Sequence, residues 1–455
     1  MTQAEVISDV PQEDAAALNV SPFEGPEKLL EVWFAPSAED VAADDDELDE
    51  KIGVKRSGLR RVKREVWEEM LDIVKCKARL WNAHLKWCMF SRGFSYSESS
   101  LFVSPHKLIL KTCGTTLNLL GLPKILSIAA APPPLLTSVH RLWYSRKSFM
   151  FPERQQGPHR EWTEEVSFLD KLFGPGHERG HRGIGAAYTV GSVNRDHWLC
   201  YVTAPPDEDD LLSPVEPVKD ELAALSAPPL PQDFTLEILM SRLSAPGRRP
   251  FFFPDSPPPA AGSDAPASPH HIRGQALSKE VGITDLFPES QTTLDAFAFE
   301  PCGYSANGLV RHDQGEGYYT IHVTPEEGWS YASFECNIPL LTRSSSAVPS
   351  ASSDKMPDLE TLIQRVVNIF QPGHLTLTLF VSSNADDSPI ETAQRTFFKA
   401  LSAKALGFNY KRVDKINYEF GGYDLAFASF ERRAGWEYQE HQPDWKVVVE
   451  PTLNS

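Results

Sequence analysis

The amino-acid sequence predicts an α+β sandwich, in which strands joined by short turns pack with a few helices. The first observation is strand character, with apolar and β-forming residues in short runs at 107–113, 319–324 and 375–379. The second is the helical spacing of apolar residues at 26–34, 163–173 and 358–370. Together the two patterns indicate the mixed α+β class.

The first predicted helix covers residues 26–34. Proline is favoured at the first helical position, and Pro26 stands there. Helical geometry would place Leu29, Leu30 and Trp33 on one face, which we expect to be buried.

The other two predicted helices have clearer boundaries. Residues 163–173 are followed by Gly174-Pro175-Gly176, which stops a helix. Residues 358–370 start at Asp358, a preferred N-cap residue, and end before Pro372-Gly373.

Length and composition limit the class of protein. Of the 455 residues, 41% are hydrophobic and 10% aromatic, which is enough for a sizeable core and excludes global disorder. At roughly 100–200 residues per domain, the chain holds one large domain or a few small ones. Its formal charge of −18 argues against non-specific nucleic-acid binding, which needs a basic surface.

Several segments have the composition of loops inserted into a folded frame. Residues 39–50 hold eight acids, residues 205–269 hold 15 of the 37 prolines, and residues 344–353 are rich in serine. Such segments bury too little apolar surface to offset the entropy lost on ordering. We therefore predict a disordered N-terminus at 1–20, a single domain at 21–430 with loop insertions at 35–60, 205–230, 244–275 and 341–356, and a C-terminal tail at 431–455.

Cysteine usage and hydropathy predict a cytoplasmic protein. The six cysteines include no C-x-x-C pair, so we expect no disulfide framework, no zinc site and no bound metal. The acidic N-terminal residues lack the charged and apolar regions of a signal peptide, so we expect none. The longest apolar stretch, 117–136, is interrupted by Lys124 and by Pro132-Pro133-Pro134, so we expect no membrane span.

The residue pattern alone offers candidate sites without naming a reaction, because the common nucleotide and zinc motifs are absent. His322 lies within a predicted strand, where a hydrogen-bonded core histidine is the commoner explanation. Cys113 would by default be a buried, inert thiol. Asp233, Thr235 and Glu237 would share one face of a strand, as they do on many water-facing strands.

Longer motifs indicate one family. The segment FSYSESSLFVSPHKLILKTCGTTLNLL at 94–120 resembles the processing-site region of eukaryotic S-adenosylmethionine decarboxylase, the pyruvoyl enzyme of polyamine synthesis. Further segments match in the same order: FEGPEKLLEVWF (23–34), YSRKSFM (144–150), DFTLEILMS (233–241), FEPCGYSANG (299–308), YYTIHVTPEEGWSYASFECN (318–337) and FGGYDLAFASF (420–430). The resemblance covers most of the chain outside the predicted insertions. The insertions themselves make the chain resemble a fungal-type member of the family.

The resemblance implies a four-layer α/β/β/α sandwich with two large antiparallel sheets flanked by helices. It also implies self-cleavage between Glu98 and Ser99, which would give a β chain of residues 1–98 and an α chain of residues 99–455. Ser99 would become an N-terminal pyruvoyl group, the cofactor. Its ketone would form a Schiff base with the substrate amine and act as the electron sink for decarboxylation.

Catalytic roles follow from the same resemblance. His322 matches the base that removes the α-proton of the processing ester, and Ser305 matches the group that stabilises the oxyoxazolidine intermediate. Cys113 matches the acid that protonates Cα after CO₂ has left. Glu24 and Glu27 are assigned to the same catalytic region.

Substrate binding is implied in the same way. Phe23 and Phe299 match the two rings that hold the adenine of S-adenosylmethionine between them. Glu326 matches the carboxylate that accepts the ribose hydroxyls, and Glu98 lines the pocket.

A regulatory site is implied by further acids. The matching positions are Glu31, Asp233, Glu237 and Glu335, with Thr235 and Tyr423 beside them. Burying carboxylates without counter-charge is costly, and a diamine such as putrescine would satisfy two of them at once. We therefore predict that putrescine accelerates processing or catalysis, although Trp143, where relatives carry phenylalanine, would occlude the site.

Two other readings stay open at this point. A catalytically inactive regulatory paralogue should have lost Ser99, Cys113 or His322, and all three are present. A plain S-adenosylmethionine-binding module would not need the Glu98-Ser99-Ser100 segment. The implied partners are S-adenosylmethionine, putrescine and the two chains of one precursor, assembled as a single αβ unit or as a homodimer of αβ units, with no nucleic acid or membrane.

Overall fold

The computed structural model contains two eight-stranded antiparallel sheets and helices that pack against them. It describes residues 23–41, 48–49, 54–55, 57–76, 78–82, 87–92, 95–131, 138–173, 185–203, 233–254, 268–313, 315–342, 355–382, 390–402, 406, 409–420 and 423–433.

The first sheet is formed by the N-terminal half of the chain. Its strands are β1 (Lys28–Trp33), β4 (Ala78–Asn82), β5 (Trp87–Arg92), β6 (Ser95–Val103), β7 (Lys107–Thr112), β8 (Arg141–Lys147), β9 (Gly185–Gly191) and β10 (His197–Thr203). They lie in the order β4-β5-β6-β7-β1-β8-β10-β9. Two further strands, β2 (Leu48–Asp49) and β3 (Val54–Lys55), form a separate short ribbon.

The second sheet repeats this arrangement in the C-terminal half. Its strands are β11 (Phe234–Leu243), β12 (Thr292–Ala298), β13 (Tyr304–His312), β14 (Gly315–Thr324), β15 (Tyr331–Cys336), β16 (Pro372–Ser382), β17 (Tyr410–Phe420) and β18 (Tyr423–Arg432). Their order is β12-β13-β14-β15-β11-β16-β18-β17. In both halves the first strand of the sheet therefore lies in its middle, and the next four strands lie to one side of it.

Helices form the two outer layers. They are α1 (Arg64–Ile73), α2 (Leu122–Ala129), α3 (Trp162–Phe173), α4 (Ala245–Arg248), α5 (Pro269–Glu280), α6 (Leu359–Phe370) and α7 (Ile390–Ala400). Side chains of α1, α2 and α3 share one buried cluster with the first sheet, and those of α5, α6 and α7 share another with the second sheet. Two smaller apolar clusters hold residues of both sheets. The predicted four-layer α/β/β/α sandwich is confirmed.

Strand alternation decides which side chains face the opposite sheet. In β7, Leu108 and Leu110 belong to the helix-side core, whereas Ile109 packs between the sheets with Phe299 of the second half. Lys111 is on the same face as Ile109 and therefore also points at the other sheet. This alternation brings the polar residues of both halves into one buried layer.

Most of the predicted elements are confirmed. In α6, the Asp358 side chain accepts a hydrogen bond from the Thr361 backbone N–H at 2.8 Å, and the helix ends at Gln371, whose φ is 45°. Helix α3 covers the predicted segment 163–173, and the strands predicted at 319–324 and 375–379 lie within β14 and β16. The strand predicted at 107–113 is β7, which ends one residue earlier, at Thr112.

The helix predicted at 26–34 is wrong. Residues Lys28–Trp33 form β1, which pairs with β7 on one side and β8 on the other. A short apolar run does not distinguish a helix from a central strand, and here two strand partners from later in the chain decide the outcome. Leu30 and Val32 reach the helix-side core, while Glu31, between them, faces the second sheet.

Several predicted insertions need correction. The range 244–275 is too wide, because it includes α4 and the start of α5. Leu59, in the predicted insertion 35–60, is fully buried in the first core. Strand β18 continues to Arg432, so the predicted tail starts too early. Residues 1–20, 205–230 and 434–455 lie outside the described part of the chain. Among the described helices, none has the length and apolar character that a membrane span requires.

Candidate active site

The centre of the interface between the sheets is charged. Lys111 of β7 donates a hydrogen bond to Glu335 of β15 at 2.7 Å, and their side chains are 1% and 0% exposed. Burial alone would lower the pKa of Lys111, but the carboxylates of Glu335, Glu27 and Glu237 raise it overall. Lys111 is therefore an ammonium ion surrounded by carboxylates, all of them buried. We call Lys111, Glu27, Glu237, Glu335 and His322 the inter-sheet cluster.

Within this cluster, His322 connects a carboxylate to a hydroxyl. Its Nδ1 lies 3.0 Å from Glu27 Oε1, and its Nε2 lies 3.0 Å from Ser100 Oγ. Burial opposes ionisation of Glu27, but Lys111 and His322 outweigh it and lower the pKa of Glu27 to about 2. Burial also lowers the pKa of His322, so the imidazole is neutral. An ionised Glu27 accepts the Nδ1 proton, and the Nε2 lone pair then faces β6, as a general base requires.

Ser305 lies beside His322 on the neighbouring strand. The two are directly paired between β13 and β14, so their side chains share the face that looks towards the first sheet. Ser305 Oγ is buried and has no hydrogen-bond partner among the described residues. The structure thus brings together Ser305 and His322, which the sequence assigned to one reaction.

The two serines after Glu98 point in opposite directions. Ser99 pairs with Thr112 of β7, and its Oγ lies 3.7 Å from Cys76 Sγ. Ser100 instead faces the second sheet, where its Oγ is within 3.0 Å of both His322 Nε2 and Asn307 Oδ1. The sequence analysis singled out Ser99 and missed Ser100. Alternation along β6 was the signal that could have shown it, since neighbouring residues of a strand face opposite sides.

Cys113 directly follows β7, next to the predicted adenine site. Gly114 follows with φ +62°, and a Cβ there would lie 3.4 Å from the Phe23 ring, so that ring packs against this turn. Lys28 donates a hydrogen bond to the Gly114 carbonyl at 2.8 Å, and burial lowers the pKa of Lys28 to about 8. Lys28, which the sequence analysis did not assign, therefore holds the turn that carries Cys113.

The other predicted substrate contacts have distinct surroundings. The two carboxylate oxygens of Glu24 accept hydrogen bonds from the backbone N–H groups of Met150 and Phe151, each at 2.8 Å, so Glu24 ties the segment before β1 to the segment after β8. Phe299 is buried and packs against Phe297, with ring centroids 4.9 Å apart. Glu326 is half-buried, and burial raises its pKa.

The predicted regulatory acids are paired within the protein. Glu31 accepts hydrogen bonds from Trp33 Nε1 at 2.7 Å and from Lys107 at 3.3 Å. Asp233 accepts one from the Tyr423 hydroxyl at 2.5 Å, and Arg141 Nη1 lies 3.8 Å from its carboxylate.

The remaining regulatory positions lie deeper between the sheets. Glu335 accepts a hydrogen bond from the Tyr318 hydroxyl at 2.6 Å in addition to the one from Lys111. Glu237 accepts hydrogen bonds from Trp198 Nε1 at 3.1 Å and from Thr378 at 3.0 Å. Thr235 lies in β11 two residues before Glu237 and is half-buried. The strand face predicted to meet water at Glu237 is thus a buried interface.

Glu237 should make the stability of the protein depend on pH. Burial raises its pKa from 4.5 to about 7, although Lys111 opposes this. The folded protein therefore holds a proton that the unfolded chain loses, and the associated stability, complete below pH 4.5, disappears as the pH rises through about 7. Glu237→Gln keeps an acceptor for Trp198 and Thr378 but does not ionise. Its stability in urea should fall less than that of the wild type between pH ~5 and ~8, by up to about 3 kcal/mol.

The control for this measurement is Glu164→Gln, which alters an exposed glutamate. It should follow the wild-type profile. Parallel profiles for Glu237→Gln and the wild type would show that Glu237 does not titrate in this range.

Comparison with known proteins assigns the family. The family model described as adenosylmethionine decarboxylase matches residues 20–431. Curated proteins named S-adenosylmethionine decarboxylase proenzyme are 32% identical in Saccharomyces cerevisiae, 34% in Xenopus laevis and 33% in Drosophila melanogaster. Each alignment covers 90% of this chain and 93–95% of the relative, so the relatedness extends over the whole domain. The chain therefore belongs to the adenosylmethionine decarboxylase family.

Proposed function

We propose that the chain is the proenzyme of an S-adenosylmethionine decarboxylase. The enzyme would remove the carboxylate of S-adenosyl-L-methionine as CO₂ and yield the aminopropyl donor for spermidine and spermine. Family membership and the names of the curated relatives support this proposal. The observation in the structure that carries it is the chain of contacts from Glu27 through His322 to Ser100, next to the proposed cleavage bond.

Processing begins at the Glu98–Ser99 bond. The Ser99 hydroxyl attacks the carbonyl carbon of Glu98, the C–N bond breaks, and the acyl group moves from nitrogen to oxygen to give an ester. Ser305, whose hydroxyl is free to donate, supports the oxyanion of the cyclic intermediate. His322 Nε2 then takes the α-proton of Ser99, and elimination releases the Glu98 carboxylate as the end of the β chain.

Residue 99 is left as an enamine, which tautomerises to an imine. Water hydrolyses that imine to a ketone and releases ammonia, giving the pyruvoyl group. When formed, this group supplies the electron sink that decarboxylation needs.

In turnover, the protein positions the substrate and returns a proton. Phe23 and Phe299 are proposed to hold the adenine, Glu326 the ribose hydroxyls, and Glu98 part of the pocket wall. Cys113, on the turn beside Phe23, is proposed to donate a proton to the substrate Cα after CO₂ has left.

The presence of Ser99, Cys113, Ser305 and His322 argues against the inactive paralogue, which would have no need of the complete set. We place the protein in the cytoplasm on its cysteine usage, since the five cysteines whose side chains the structure describes are thiols and not disulfides. The αβ unit, alone or as a homodimer, is the proposed assembly.

Replacing each serine separately tests the processing site. Ser99→Ala should remain one chain of 455 residues, because alanine has no hydroxyl to form the ester. Ser100→Ala should still cleave after residue 98, but about tenfold or more slowly, because His322 loses a hydrogen bond that orients it. Denaturing gels and intact mass spectrometry give both results. Two chains in Ser99→Ala, or a wild-type small chain ending at Ser99, would identify Ser100 as the nucleophile instead.

Replacing Cys113 tests the proton donor. Cys113→Ala should be cleaved into two chains, yet its decarboxylation rate should fall by about 10²-fold or more. It should also lose activity during turnover, because protonation on the pyruvoyl carbon would convert the cofactor to an amine by transamination. The matched control is Cys336→Ala, which removes another buried thiol that lies in the core behind the second sheet. Wild-type rate and lifetime in Cys113→Ala would remove Cys113 from the mechanism.

Putrescine is the proposed activator, and the acids around Asp233, Glu31 and Glu237 are its proposed site. Two ammonium groups on a short apolar stem would add positive charge to a region where carboxylates outnumber cations. Decarboxylation by the wild type should rise with putrescine, and Asp233→Asn should weaken that response. Equal responses in the two proteins would exclude Asp233 from the activator site.

A further inference from the structure

Arg141, at the start of β8, extends from the first sheet to the acidic site in the second. Its Nη1 lies 3.8 Å from Asp233 Oδ2 and donates a hydrogen bond to the Tyr423 hydroxyl. Its guanidinium carbon lies 4.6 Å from the centre of the Tyr423 ring. The Arg141 side chain is 12% exposed and that of Asp233 is 34% exposed, so the guanidinium is largely shielded from water while the carboxylate is still partly accessible.

The guanidinium lies where a diamine ammonium group would have to bind. An ammonium group at Asp233 needs that carboxylate as counter-ion and the adjacent hydroxyl as acceptor, and Arg141 already contacts both. Tyr423 in turn donates to Asp233 at 2.5 Å, so Arg141, Tyr423 and Asp233 form a closed triangle of contacts.

Aromatic rings close the space beside this triangle. Trp143, two residues after Arg141 on the same strand face, packs edge-on against Phe380 and Tyr423, with ring centroids 4.8 Å and 4.7 Å away. A diamine ammonium group that paired with Asp233 on this side would therefore have to displace the guanidinium, which lies between the carboxylate and the packed rings.

The opposite end of the acidic region is also paired. Glu31 has Lys107 within 3.3 Å, and Lys107 lies over the Trp33 ring at 4.1 Å. Glu237, between the two ends, accepts hydrogen bonds from the uncharged donors Trp198 and Thr378. Each outer acid thus contacts a protein cation directly, whereas the charge of Lys111 acts on the central acid without a direct hydrogen bond between the two described side chains.

We propose that Arg141 is a built-in counter-cation that takes the place of one ammonium group of the diamine at Asp233. The proposal rests on the assignment of this region as the activator site. Two consequences follow. Wild-type protein should already have part of its full activity without putrescine, and its further rise should need high putrescine concentrations, because Arg141 must leave Asp233 first.

Removing the guanidinium should convert the enzyme to a putrescine-dependent one. Arg141→Ala should show lower decarboxylation without diamine, and putrescine should restore it. The concentration giving half-maximal stimulation should be about tenfold below that of the wild type, within the range usual for coupled sites. Arg141→Lys, which keeps the charge, should stay close to the wild type. The control Arg64→Ala removes an exposed arginine paired with Glu68 and should change nothing.

A second readout does not depend on catalysis. In the Ser99→Ala background, which lacks the processing nucleophile, putrescine should raise the unfolding temperature more in Arg141→Ala than with Arg141 intact. Arg141→Gln, which keeps a donor for Tyr423 without the charge, replaces Arg141→Ala if the smaller side chain prevents folding. Equal thermal shifts with and without Arg141, together with equal putrescine responses in activity, would overturn the proposal. An inactive wild type whose thermal shifts still depend on Arg141 would refute the proposed decarboxylase activity while leaving this inference intact.

Discussion

The buried pair of Lys111 and Glu335 is the interaction on which the rest of the site depends. It joins the two sheets at the centre of their interface. Both ions lose their hydration there, so a purely apolar layer in the same place would cost less free energy to bury. Removing one partner of such a pair typically costs about 3–5 kcal/mol, since the other charge is left uncompensated. The buried charge of Lys111 is therefore better explained by its electrostatic effect on the neighbouring side chains than by a net contribution to stability. Its first effect is on Glu27, which it holds ionised.

Burial keeps His322 a neutral imidazole, and the ionised Glu27 fixes its tautomer so that the Nε2 lone pair faces β6. The charged groups between the sheets continue towards Asp233. Burial raises the pKa of Glu31, and the negative charges of Asp233 and Glu335 raise it further, so the outer and inner acids affect one another. A cation placed at Asp233 therefore changes the field around Glu31, Glu335 and Lys111 in turn. This is a physical route by which Arg141 or a diamine would influence the base at His322 without touching it.

How much could be predicted from the sequence depends on the range of the interactions. Local signals were sufficient for α6, where the cap at Asp358 is three residues from its donor. They failed for β1, because its strand partners β7 and β8 come from residues far along the chain. Family resemblance located His322 and Ser305 but not their contacts: Ser100 and His322 are 222 residues apart, and Arg141 and Tyr423 are 282. Arg141 lies outside every motif that carried the resemblance, so only the fold could reveal its position.

The same long-range pairing explains why cleavage at Glu98 would leave one enzyme and not two fragments. The β chain would supply β1, which is hydrogen-bonded between β7 and β8 of the α chain in the middle of the first sheet. It would also supply Glu27, whose carboxylate orients His322 of the α chain. If either chain dissociated, the backbone groups of the central strands would lose their hydrogen-bond partners and the charges between the sheets would lose their counter-charges. The conformational entropy that a small fragment gains on dissociation would not offset this free-energy cost. Ser99, held in β6 between β5 and β7, would become a free chain end whose neighbours remain in register on both sides. The fold thus allows the peptide bond to be broken at the point where the reactive group is needed while the surrounding site stays assembled.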